Sequence, residues 1–144
     1  MKPAEPPLGR VIGVDHGLRR VGVAVGDEET GMAFPRPGLG TSEAAERIHD
    51  LAVAEGTTRV VVGLPLNIDG SEGAQAAVAR EFGALLEVLG LEVTFSDERL
   101  TTWEAEQRSR FADRPTAANT IDSAAAALIL EQYFADHRRR PEET

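Results

Sequence analysis

The 144-residue chain has no cysteine, so disulfides and Cys-ligated metals are excluded. Lysine is almost missing: Lys2 is the only one, and every other basic residue is Arg. Acids outnumber bases, 24 Asp and Glu against 15 Lys and Arg, giving a net charge of −9. That balance argues against a generic nucleic-acid binder, whose footprint is a basic surface. It leaves room for a local phosphate track, because arginine contacts phosphate bidentately. No apolar run reaches the ~18 residues of a membrane-spanning helix. Residues 1–9 lack an apolar targeting segment and include three prolines, so they read as a flexible tail rather than a signal peptide. These absences fit a cytoplasmic protein without a membrane partner.

What is present is one domain. At 42% hydrophobic, the 144-residue chain can bury roughly two-thirds of its unfolded surface, and residues 10–137 read as the folded domain. Residues 138–144, with Arg138, Arg139 and Arg140, form a second tail. The chain is organised around Val11–Val25. The β-branched runs Val11–Val14 and Val21–Val25 read as strands, and His16–Arg20 as the turn of an antiparallel hairpin. Asp15 sits where the first strand ends, at the edge of a buried sheet. There it can present an anion to a metal, or simply form the turn. Gly17 and Gly22 would allow close approach of a ligand.

Gly31–Phe34 reads as a short third strand, ended by Pro35 and Pro37. Ser42–Glu55 reads as a helix with Ser42 as N-cap and Gly56 as the stop. Arg59–Gly63 is a strand whose continuous Val60–Val62 run suits a sheet covered on both faces. Gly63–Gly73 is a loop, and Ala74–Leu89 a helix closed by Gly90. Leu91–Phe95 is a strand and Ser96–Leu100 a loop. A helix from Thr101 or Thr102 to about Phe111 and a final helix from about Thr120 to Asp136 complete the chain. In outline the order is β-β-β-α-β-α-β-α, a mixed five-stranded α/β sheet with helices on both faces. Ligands of such sheets gather at the carboxyl ends of the strands.

The acids able to meet there are Asp15, Asp97 or Glu98, and Asp122. Asp122 lies in the first turn of the last helix, where the dipole favours a carboxylate. Carboxylates converging on one edge repel unless a cation neutralises them, and oxygen donors suit Mg²⁺ or Mn²⁺. Two such ions can activate water and steady the leaving oxygen of a phosphodiester. Each acid also has an ordinary reading: a turn for Asp97, an ion pair with Arg99 for Glu98, a helix cap for Asp122. The Gly63–Gly73 loop could hold a phosphate on backbone N–H groups, or be a plain strand-to-helix connection. Trp103 could stack on a base or pack in the core. His16 and His49 have no metal-pair spacing and read as non-catalytic.

Four segments carry a resemblance. Asp15-His16-Gly17-Leu18-Arg19-Arg20-Val21-Gly22-Val23-Ala24 resembles the opening motif of the YqgF family, also called RuvX. Val62-Gly63-Leu64-Pro65-Leu66-Asn67-Ile68-Asp69-Gly70 resembles its second motif, Asp97-Glu98-Arg99-Leu100-Thr101-Thr102 its third, and Ile121-Asp122-Ser123-Ala124-Ala125 its fourth. The resemblance covers about Arg10 to His137. It implies a ribonuclease-H-like fold, kinship with RuvC-type resolvases, and a nuclease site of Asp15, Glu98 and Asp122 holding Mg²⁺ or Mn²⁺. RuvC-like enzymes take an acid from the end of the fourth strand; here that strand runs into Gly63-Leu64-Pro65-Leu66-Asn67, and Glu98 fills the place. Arg19, Arg20, Arg99 and Asn67 are the expected contacts to nucleic acid.

The implied function is a metal-dependent nuclease in 5′-end maturation of pre-16S ribosomal RNA, as a monomer or homodimer. A Holliday junction resolvase or DNA-repair nuclease is the alternative. A non-catalytic nucleotide- or RNA-binding module on the same fold is a further one. An actin-like ATPase would need two lobes, and this length supplies one.

Overall fold

The computed structural model describes residues 9–98 and 123–137. Arg99, Trp103, Asp122, the helix expected near 101–111 and most of both tails lie outside the described residues. The described elements are β1 (Arg10–His16), β2 (Arg20–Asp27), β3 (Met32–Gly40), α1 (Ala44–Glu55), β4 (Arg59–Pro65), α2 (Ala74–Val88), β5 (Glu92–Glu98) and α3 (Ala124–Asp136). The sheet order is β3-β2-β1-β4-β5. β1 pairs antiparallel with β2, and β2 with β3; β1 pairs parallel with β4, and β4 with β5. This is the mixed five-stranded α/β sheet expected from the strand pattern.

Side chains alternate across each strand, and the two faces fill from different helices. Ile12, Val14, Val21, Val23, Val60 and Val62 pack with Ile48 and Ala52 of α1 and with Ala79, Phe82 and Leu86 of α2. Val11, Ala24, Ala33 and Val61 pack with Ala126, Ala127, Leu130 and Phe134 of α3. The α3 face is cut low by glycines. A Cβ on Gly13 would stand 2.5 Å from Leu130 Cγ, and one on Gly63 would stand 2.5 Å from Ile129 Cδ1. Only a bare backbone lets the helix sit this close.

Several boundaries differ from the sequence reading. β3 continues through Pro35 and Pro37 to Gly40 because it is an edge strand, where missing N–H groups cost no ladder bond. The outward Ala33 N–H donates to Glu131 Oε2 of α3 at 3.2 Å, and Pro35 and Pro37 have no N–H to offer. The β3 edge is thereby blunted against pairing with another strand. Ser42 does not cap α1. The turn closed by Glu43 N–H to the Gly40 carbonyl comes first, so the chain enters the helix at Glu43 with near-helical angles and no side-chain cap. Gly56 does end α1, in the left-handed region at φ 71°. β5 starts one residue later than expected and runs on to Glu98, so Asp97 and Glu98 are strand residues rather than loop residues.

Candidate active site

β1, β4 and β5 point the same way, so Asp15, Pro65 and Glu98 lie at one edge of the sheet, the carboxyl edge. Asp15 shares a face with Val11 and Gly13, the face that α3 covers. Glu98 pairs with Pro65, two residues beyond Gly63, which also faces α3. Asp97 pairs with Leu64 and belongs to the opposite face. Strand alternation thus separates the neighbouring acids: Glu98 joins Asp15, and Asp97 does not.

The Glu98 side chain leans back along the sheet. Its Oε2 lies 2.9 Å from the place a Cβ on Gly63 would take. The β1–β4 register pairs Val14 with Val62, so its continuation sets Asp15 level with Gly63. Glu98 therefore brings its carboxylate into the row that Asp15 occupies, one strand spacing (about 4.8 Å) away. Both residues are half-buried. Both also take part in further polar interactions.

The third acid of the expected site, Asp122, lies outside the described residues, but its neighbour Ser123 does not. Ser123 is fully buried, and its Oγ accepts a 2.8 Å hydrogen bond from the Val23 N–H. The β2–β3 register slips between Val21 and Val23, at the same point of the sheet. The bond pins the start of α3 over β2, next to the strand that carries Asp15. Asp15 itself pairs with Gly22, so Ser123 is tied one residue from Asp15's partner. The sequence reading missed Ser123 and the role of Gly63 as floor. A glycine within the apolar run Val60–Leu64 was the available signal for the latter.

Asp15 and Glu98 are hard oxygen donors on one face at a strand edge, and that donor chemistry fits Mg²⁺ or Mn²⁺. Among the described residues no group of three or more Asp, Glu, His or Cys comes together to hold a metal. His16 points to the other face, its ring 4.8 Å from that of Phe82 on α2.

The expected nucleic-acid contacts fall into two sets. Arg19 is exposed at the β1–β2 turn and, among the described residues, carries no ion pair or side-chain hydrogen bond. Arg20 instead donates from Nη2 to the Gly38 carbonyl at 2.7 Å, which ties β2 to β3. Asn67 closes the loop after β4: its Nδ2 donates to Ser71 Oγ at 2.9 Å, its N–H to the Ser71 carbonyl at 2.9 Å, and its carbonyl accepts from Gly70 N–H at 2.8 Å. A bridge between Leu66 and Glu72 makes this loop a small hairpin. Gly17 is needed by its own turn, since a Cβ there would meet the Arg20 carbonyl oxygen at 2.7 Å.

Comparison with known proteins bears on the family and the fold. The family model RuvX, described as Holliday junction resolvase, matches residues 9–136. A protein of Opitutus terrae is 42% identical over 139 residues, covering 92% of this chain and 94% of its own. One from Chloroflexus aggregans is 42% identical over 137 residues, covering 91% and 96%. Both carry the name "Putative pre-16S rRNA nuclease". Thermus thermophilus RuvC, solved in complex with a Holliday junction substrate, superposes with a TM-score of 0.51 at 17% identity, over 89% of this chain and 94% of its own. That likeness establishes the ribonuclease-H-like fold. With the model match and the relatives spanning nearly its whole length, the chain belongs to the RuvX family of nucleases.

Proposed function

We propose that Asp15, Glu98 and Asp122 hold Mg²⁺ or Mn²⁺, and that the protein hydrolyses phosphodiester bonds during 5′-end maturation of pre-16S ribosomal RNA. The observation that carries the site is Glu98 folded over Gly63 into the row of Asp15. The names of the full-length relatives support the choice of ribosomal RNA. Bound between these carboxylates, the metal would supply the positive charge that activates water and steadies a leaving oxygen.

The chain's own residues do the positioning. The sheet fixes the Asp15 backbone within a paired strand, and Gly63 leaves room for the Glu98 carboxylate. Arg19, at the same edge and without an ion pair among the described residues, would supply a cation for a substrate phosphate in a protein of net charge −9. With this substrate the protein would act in the cytoplasm.

The test is cleavage of single-stranded RNA, single-stranded DNA and four-way junctions with Mg²⁺ or Mn²⁺, using Asp15→Asn as control. RNA cleavage lost in that variant supports the reading. The family description keeps a junction resolvase as the second reading. Such an enzyme cuts two strands symmetrically as a dimer, so paired junction cuts by a dimeric protein would favour it. Binding without cleavage under every condition would indicate a non-catalytic module.

A further inference from the structure

Two turns at the acidic edge each hold an aliphatic side chain out in water. Leu18, in the β1–β2 turn, is 82% exposed, and Ile68, in the loop after β4, is 98% exposed. Neither is loose. The Gly17 N–H donates to the Arg20 carbonyl at 2.9 Å and closes the first turn. The second is the Leu66–Glu72 hairpin, in which Ser71 N–H and Oγ–H also donate to Asp69 Oδ1, at 2.9 and 2.6 Å. A polar residue would serve either turn as well. Rigid backbone around an unburied Leu or Ile forgoes the stabilisation that burial gives.

β1 and β4 are parallel neighbours, so both turns leave the sheet at the edge that carries Asp15 and Glu98. Arg19, without an ion pair among the described residues, stands next to Leu18. An apolar tip beside a cation suits a polynucleotide whose base faces are accessible beside its phosphates, the substrate class of the reading above. Stacked duplex bases hide those faces. We infer that Leu18 and Ile68 rest on the faces of unpaired nucleobases and so direct the site to single-stranded or locally opened nucleic acid. The inference rests on the nuclease reading above and adds the strand form of the substrate.

An apolar contact neutralises no phosphate. It therefore changes affinity without changing the salt dependence, whereas loss of a phosphate contact changes both. The experiment compares a short single-stranded RNA with an abasic sugar–phosphate chain of the same length, in Ca²⁺ and at several salt concentrations. Wild type, Leu18→Ser, Ile68→Ser and the double variant are measured. Both sites are exposed, so folding is unaffected, which thermal melting checks. Wild type should prefer the RNA by about tenfold, as expected for part-burial of two aliphatic side chains. The double variant should lose most of that preference with an unchanged salt slope. Equal binding of both chains by wild type, or a preference that survives in the double variant, would overturn the inference and leave the nuclease reading standing. Absence of both binding and Mn²⁺-dependent cleavage by wild type would overturn the two together.

Discussion

Glu98 reaches over Gly63: its Oε2 stands 2.9 Å from the Cβ position of a residue that has none. The same position lies 2.5 Å from Ile129 Cδ1, so this glycine serves the helix packing and the acid at once. Gly63→Ala should displace both. Overpacking of this kind costs about 1–3 kcal/mol. Mn²⁺ should raise the melting temperature of wild type, and the variant should lose that shift, although Gly63 is no proposed ligand. Melting curves with and without Mn²⁺ check this. A destabilised variant with a full Mn²⁺ shift would show that Glu98 holds no metal from this position.

Ser123 gives a second test at a residue that is not itself an acid. Ser123→Ala leaves the Val23 N–H, in a buried hydrogen bond, without its acceptor. An unsatisfied buried donor costs about 1–3 kcal/mol. The start of α3 should loosen, and cleavage should fall through misplacement of Asp122. Ser123→Thr keeps the oxygen and should recover part of the activity. Denaturant unfolding and cleavage rates of the two variants, measured side by side, decide it.

The strand pattern made most of this fold legible. Continuous Val runs announced the buried strands, and Gly56 and Gly90 announced the helix ends. Pro35 and Pro37 misled, because proline breaks a central strand but not an edge one, and the sequence does not say which strand is the edge. The end of β5 was also hidden. Ser96-Asp97-Glu98 is polar like a loop, yet it pairs fully with Gly63-Leu64-Pro65. Asp15 was recognisable as an acid at a strand end and Glu98 as one in the segment after a strand; their common face was not, since it depends on the β1–β4–β5 register. Arg20 could not be told from Arg19 by composition; its bond to the Gly38 carbonyl marks it as structural, whereas Arg19 carries no ion pair or side-chain hydrogen bond among the described residues.

Asp97 supplies an internal control for the proposed triad. It differs from Glu98 by one position and belongs to the other face of β5. Asp15→Asn, Glu98→Gln and Asp122→Asn should each abolish cleavage while the protein still melts cooperatively. Asp97→Asn should cut at close to the wild-type rate. Wild-type cleavage by the Asp15 or Asp122 variant would remove that residue from the site. Activity lost in Asp97→Asn and kept in Glu98→Gln would exchange the two roles.

The hairpin that carries Ile68 is tied to α2 by an ion pair with a definite pH signature. Arg80 Nε donates to Glu72 Oε1 at 2.6 Å and Nη2 to Glu72 Oε2 at 2.7 Å. These hydrogen bonds hold the Glu72 carboxyl below the usual carboxylate range. A depressed pKa contributes stability above the unfolded value, 4.5, that is lost as pH falls through the folded one. The guanidinium also lies 5.1 Å from the Phe95 ring centroid, a contact that pH does not change. Arg80→Gln should therefore be less stable than wild type at pH 7, by a margin that narrows below pH 4.5 without vanishing. A margin constant from pH 7 to about pH 3 would assign the whole effect to Phe95.

The last prediction separates Arg19 from Arg20. At net charge −9, long-range attraction for a polyanion is weak, so binding must come from metal and short-range contacts. Binding should accordingly be poor in EDTA and clear in Ca²⁺. Arg19 has no partner to lose among the described residues, so Arg19→Ala should leave stability unchanged. It should weaken binding and lower the salt slope by about one counterion unit. Arg20 donates to the Gly38 carbonyl, a part-buried bond joining β2 to the edge strand, and takes part in a further interaction. Arg20→Ala should destabilise the protein by about 1 kcal/mol and leave the salt slope alone. Affinity across a salt series, beside a melting curve, reads both outcomes for each variant. An unchanged slope in Arg19→Ala would move the phosphate contact away from the β1–β2 turn. Tight binding in EDTA would move it further, to Arg138, Arg139 and Arg140 in the C-terminal tail.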